Sequence, residues 1–276
     1  MSRFRMLNRR SPRRLQGLSI HRLIPNLITI LAMCSGLTAI KFALQGDWRM
    51  AVVAIIAAAI FDGLDGRMAR LLRSTSRFGA ELDSLSDFVS FGVAPAVVLY
   101  LWVLQQYDRL GWIVGLFLAT CCALRLARFN TALDDTAPPA YAYNYFTGVP
   151  SPAGAGLAIL PLVLSFELGD AVVRHPLPVA IWTALVGGLM FSRLPTFAFK
   201  RLRIPQPYVM PVVVVAGLLV AGLAAATWTT LIILAGLYLA SFPVAYVSYR
   251  RLERAAARLA AEVTELEAAR NERGTA

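Results

Sequence analysis

Eight apolar stretches divide this chain, near residues 24–43, 49–68, 79–104, 111–128, 150–167, 176–192, 208–225 and 228–248. Each approaches the roughly 20 residues that a helix needs to cross a hydrocarbon core. Because 58% of the 276 residues are hydrophobic, a soluble domain of this length could not hide so much apolar surface. The sequence therefore predicts an all-α integral membrane protein of about eight transmembrane helices. Pro25, Pro150 and Pro211 sit near the starts of stretches, where a missing N–H costs little.

Charge orients these stretches. With the N-terminus in the cytoplasm and sides alternating, every one of the 27 Lys and Arg except Lys41, Arg49, Arg109 and Arg174 falls in a cytoplasmic region. That asymmetry supports the count of eight and predicts that both termini are cytoplasmic. Three parts follow: a basic cytoplasmic arm over 1–22, a membrane domain over 23–249, and a charged amphipathic tail over 250–276. The arm carries seven arginines and no interleaved aromatic platform, so its partner is expected to be anionic lipid headgroups and not nucleic acid. It precedes the first apolar stretch as a cytoplasmic arm, not as a cleaved signal peptide. In the tail, Leu252, Ala256, Leu259, Val263 and Leu266 alternate steps of four and three, which suits a solvated helix with one face on headgroups or a partner. Cys34, Cys121 and Cys122 lie in apolar runs and make neither a metal nor a disulfide pattern.

Against this background Asp62, Asp65, Asp83 and Asp87 stand out. Spacings of three and four put each pair on one helix face about a turn apart. The charge pattern places them at the cytoplasmic membrane surface. Acids in a membrane segment are expensive and point to function. Four that converge repel one another unless cations lie between them, and hard divalent ions prefer such oxygen ligands. Two divalent ions in a site of this kind neutralise a phosphate or pyrophosphate during in-line displacement. Gly63, Gly66 and Gly79 would let a ligand approach the backbone, while Arg67, Arg70, Arg73 and Arg77 supply cations for a phosphate or for headgroups. Two other readings remain: acids merely paired with those arginines, and the ion site of a divalent-cation transporter. The second calls for acids near the midplane, reached from both sides in turn.

The run Asp62-x-x-Asp65-Gly66-x-x-Ala69-Arg70, eight residues, then Gly79-x-x-x-Asp83-x-x-x-Asp87 resembles the signature of the CDP-alcohol phosphatidyltransferase family at every fixed position. The resemblance covers roughly residues 20 to 250. It implies a helical membrane bundle, usually a homodimer, whose acids hold two divalent cations, Mg²⁺ or Mn²⁺, on the pyrophosphate of a CDP-linked lipid. By resemblance Asp62, Asp65, Asp83 and Asp87 are metal ligands, and Asp87 is also the base for the incoming alcohol. Gly66, Ala69, Arg70 and Gly79 would line the nucleotide and pyrophosphate pocket, and Asn26 and Thr29 would reach the cytidine. Three further stretches are similar to the bacterial, inner-membrane members that use CDP-diacylglycerol and L-serine: Arg125–Asn130, Thr147–Pro152 and Ser192–Phe197. The resemblance gives Arg125, Arg128, Asn130 and Ser151 to the zwitterion, a cation for its carboxylate and acceptors for its ammonium. Glycerol 3-phosphate, inositol phosphate and choline are the competing acceptors. A route through phosphohistidine fits neither His21 nor His175, since each is followed by residues foreign to a His-x-Lys motif.

Overall fold

The computed structural model describes residues 20–72, 74, 76–134, 145–197 and 206–274. The arm before Ile20, and Arg73, Lys200, Arg201 and Arg203, lie outside the described residues. Each apolar stretch forms helix. α1 (Ile20–Leu44) and α2 (Trp48–Leu71) form a hairpin, and α3 (Arg77–Asp87), a π segment (Phe88–Val93) and α4 (Ala94–Trp102) make one span. α5 (Asp108–Asp134) follows, then α6 (Ser151–Ala158) and α7 (Leu160–Leu168), α8 (Asp170–Val173), α9 (Pro176–Phe191), α10 (Val209–Ala225) and α11 (Thr227–Gly274). Five spans are long and apolar enough to cross a membrane by length and composition, and α9 and α10 are shorter apolar helices. α2 has the length but carries Arg49, Asp62, Asp65 and Arg67 within it. The protein is an all-α membrane protein, as its hydrophobic pattern predicts.

Small residues set the packing. Ala32, Ala39 and Ala43 on α1 and Ala51 and Ala58 on α2 are buried, and these two helices lie against one another. α1 approaches the third span so closely that a Cβ on Gly36 would sit 2.7 Å from Ser90 Cα. Across that contact Ser90 Oγ donates to the Ala32 carbonyl at 3.2 Å and Ser86 Oγ to the Thr29 carbonyl at 3.1 Å. Small residues that admit close backbones, with hydroxyls bonding across helices, are the means by which helices associate in lipid. The core grows from here through Val52, Phe91, Leu99, Leu118, Leu162 and Met190. An apolar cavity of about 300 Å³ between α7, α8 and α9, lined by Leu164, Val173 and Trp182 among others, presents no carboxylate and is separate from the acids.

Two local features depart from plain helix. The π segment begins directly after Asp87: the Ala94 N–H reaches back five residues to the Val89 carbonyl, and Pro95 has no N–H to continue the ladder. A two-stranded antiparallel ribbon also joins β1 (Tyr145–Thr147) to β2 (Pro195–Phe197), pairing Tyr145 with Phe197 and Thr147 with Pro195. Finally α11 runs unbroken past residue 250, where the sequence places the start of a separate tail.

Candidate functional site

Helix geometry divides the first pair of acids. Three residues advance a helix by about 300°, so Asp62 and Asp65 diverge by about 60° around α2. Asp62 points toward α3 and offers a carboxylate oxygen that lies with oxygens of Asp83 and Asp87 inside a 4.8 Å cluster. Asp65 turns toward α1 instead, is buried, and accepts a 2.5 Å hydrogen bond from Thr29 Oγ1. Three of the four predicted acids therefore converge directly, and the fourth is fixed beside them by a hydroxyl.

The cluster fits a hard cation. Among the described residues the ion pairs are Arg174–Asp170 and Arg250–Glu253, so no Lys or Arg is bonded to any of the three carboxylates. Half-buried, like-charged and within 4.8 Å, these groups repel strongly unless positive charge enters between them. The donors are all oxygen, the set that Mg²⁺ and Mn²⁺ accept. The residues present can hold a metal ion.

Beside the acids lies open space. A Cβ on Gly63 or Gly66 would meet nothing within 4 Å, so the face of α2 that carries them is free for a ligand. Ala69 is half-buried and Arg70 exposed on the last turn of this helix. Across from it Ser76 caps α3, its hydroxyl accepting from the Gly79 N–H at 3.0 Å. A Cβ on Gly79 would lie 3.1 Å from Asn26 Oδ1, so glycine there lets the start of α1 meet the start of α3. Asn26 and Gly79 thus form one corner, whereas Thr29 is engaged with Asp65.

The three stretches singled out after α4 converge as well. Arg125 Nη1 donates to Ser151 Oγ at the start of α6, and the guanidinium is within electrostatic reach of Asp62 and Asp87. Asn130 Nδ2 donates to Ser84 Oγ at 2.9 Å, tying the end of α5 to α3. Arg128 is occupied otherwise: Nη1 donates to the Phe191 carbonyl at 2.8 Å, and Nη2 to the Ser192 carbonyl at 3.0 Å and the Thr147 carbonyl at 3.4 Å. It binds the end of α9 to the ribbon. Gly148 sits in the same knot with φ of +81°, its N–H bonded to the Leu194 carbonyl and its carbonyl to Thr196 Oγ1. A Cβ there would lie 2.7 Å from the Met190 carbonyl, so backbone and space both demand glycine. Thr29 as a support for Asp65, and Ser84 as the partner of Asn130, are roles that no local pattern announces.

The site stands beside what related chains carry. The family model described as CDP-alcohol phosphatidyltransferase matches residues 22–192. The chain is 39% identical over 241 residues to the CDP-diacylglycerol–serine O-phosphatidyltransferase of Mycobacterium tuberculosis (strain ATCC 25618 / H37Rv), covering 87% of this chain and 84% of that one. The enzyme of the same name from Mycobacterium leprae (strain TN) is 39% identical over 247 residues, 90% of this chain and 81% of the relative. That from Helicobacter pylori (strain ATCC 700392 / 26695) is 36% identical over 181 residues, 66% of this chain and 74% of the relative. The matched segment runs from the first turn of α1 through α9, and so contains every aspartate of the cluster and the arginine beside it. By its acids, its helices and this likeness, the chain belongs to the CDP-alcohol phosphatidyltransferase family.

Proposed function

We propose that the protein is a phosphatidylserine synthase, which transfers the phosphatidyl group of CDP-diacylglycerol to the hydroxyl of L-serine. The observation that carries this reading is the juxtaposition of a carboxylate triad, with no Lys or Arg bonded to it among the described residues, and the Arg125–Ser151 pair. The names of the relatives supply the acceptor.

Asp62, Asp83 and Asp87, with Asp65 held by Thr29, would hold two divalent ions, Mg²⁺ or Mn²⁺. Bound there, the ions neutralise the diphosphate and the charge that develops on the leaving phosphate. Asn26, Gly66, Ala69, Arg70 and Gly79 would line the pocket for the nucleotide and its pyrophosphate, a reading supported by the room beside Gly66 and the contact of Asn26 with Gly79. Arg125 takes the serine carboxylate, and oxygens of Ser151 and Asn130 receive its ammonium. Arg128 closes this side indirectly, by holding the ribbon, and not by a direct contact with serine. Asp87 accepts the hydroxyl proton as the serine oxygen bonds to the lipid-side phosphorus. The bond from that phosphorus to the bridging oxygen breaks, and CMP leaves with the electron pair. The enzyme works as a homodimer in a bacterial inner membrane, with its site and both termini on the cytoplasmic side.

The test is a panel of acceptors given to purified protein with CDP-diacylglycerol, with and without chelator. Serine-dependent, metal-dependent CMP release is expected. Turnover with glycerol 3-phosphate, inositol phosphate or choline but not serine would replace the acceptor. Absence of CMP release with every acceptor would return the acids to a transporter's ion site.

A further inference from the structure

One buried hydroxyl near the site has no task in the chemistry above. Tyr238 is on α11, beyond the segment that the family model matches. Its ring packs on the core and stands edge-on to Phe242 at 5.0 Å. The hydroxyl lies near Thr196 of β2, whose Oγ1 donates to the Gly148 carbonyl at 2.9 Å, and it has no hydrogen-bond partner among the described residues. Arg125 is within electrostatic reach of this phenol, and its Nε–H is also buried with no partner. Two buried polar groups without a partner among the described residues therefore lie within electrostatic reach of each other, and Arg125 within reach of Asp87. Buried polar groups are almost always bonded, and leaving them unpaired is costly. A ligand that accepts hydrogen bonds relieves both at once.

We propose that Tyr238 is a specificity residue for the acceptor: its hydroxyl and the Arg125 Nε–H together take the acceptor's carboxylate. Arg Nε–H is a donor only and the phenol donates as readily, so the group between them must be an acceptor, and a carboxylate has lone pairs for two donors. The position of α11 supports this use. Its cytoplasmic half is fastened to the ribbon, with Tyr145 Oη donating to Ser248 Oγ at 2.8 Å and the Tyr145 ring 5.5 Å from that of Phe197. Both polar atoms are sealed from solvent, so a carboxylate bound by them is shielded from water. Cation-binding chemistry thus comes from the family segment, and acceptor choice comes partly from a helix outside it.

This inference rests on the phosphatidyltransferase reading and on an anionic acceptor. Its test is Tyr238→Phe, which removes one oxygen and keeps the ring contacts. The serine KM is expected to rise about tenfold or more, the loss of a hydrogen bond to a charged group, while the CDP-diacylglycerol KM moves far less. Ethanolamine, which lacks the carboxylate, should compete with serine equally weakly in wild type and variant. Thermal unfolding in detergent is followed in parallel. An unchanged serine KM overturns the proposal, as does a fall in thermal stability with equal shifts in both KM values, which would mark a structural role. Should the wild type prefer another anionic acceptor, the phosphatidylserine reading fails by itself, and the same KM comparison on that acceptor still judges Tyr238; a preference for choline, which carries no anion, overturns both.

Discussion

Asp62, Asp83 and Asp87 each offer an oxygen within 4.8 Å of the others and, among the described residues, have no Lys or Arg bonded to them, whereas Arg125, Arg128 and Asn130, close together on α5, each donate to a protein oxygen. The two sides of the site are thus built differently. The carboxylate side repels itself when ionised, and added positive charge relieves that repulsion. The α5 side, proposed to take the acceptor, is nearly complete, locked by bonds between residues far apart in sequence, with the Arg125 Nε–H and the Tyr238 hydroxyl left over among the described residues. Damage to the first side should therefore cost chemistry. Damage to the second should cost selectivity or stability.

The largest effect expected on this contrast comes from Asp87→Asn. Turnover should fall by roughly 10²–10⁴ as the proton acceptor is lost, with CDP-diacylglycerol still bound in a filter assay. Near-normal turnover would remove the base assignment and with it the contrast. Next in size, Thr29→Val strips the hydroxyl from Asp65 without changing its volume greatly. The metal concentration for half-maximal activity should rise about 10–100-fold, as for other supports of metal ligands, and the serine KM should stay near its original value. A serine effect equal to the metal effect would show that the two sides are not separable.

The smallest effect on chemistry is expected from Gly148→Ala. An alanine at φ of +81° is strained, and its Cβ would meet the Met190 carbonyl at 2.7 Å. The expected loss is about 1–3 kcal/mol of stability, read as a lower unfolding midpoint in detergent, with metal activation unaltered. A variant as stable as wild type would mean that the ribbon is not the lock described above.

How far the sequence reveals all this follows the same division. Apolar runs and acid spacings are local, so eight helical stretches and the Asp62–Asp87 cluster are visible along the chain. The direction of Asp65 is not, because it depends on where α1 places Thr29. Strands of three residues, one beginning with Pro195, carry too little alternation to be read, and the π segment after Asp87 depends on the neighbouring span and Pro95. Arg125 and Arg128 look alike in sequence, three residues apart at a helix end. Only the positions of Ser151, 26 residues away, and of Phe191 and Ser192, more than 60 away, give one a hydroxyl partner at the start of α6 and the other backbone partners at the end of α9. Tyr238 is one aromatic among several on an apolar helix, and nothing local marks it.

The central claim is that the carboxylate cluster becomes a working site when divalent cations and a lipid's diphosphate complete it. The direct measurement is serine-dependent CMP release by protein stripped with chelator and then titrated with Mg²⁺ or Mn²⁺. No release is expected from the stripped protein and recovery as the ion is returned, with Asp83→Asn shifting the titration to higher concentration. Full turnover after every divalent ion has been removed would contradict it.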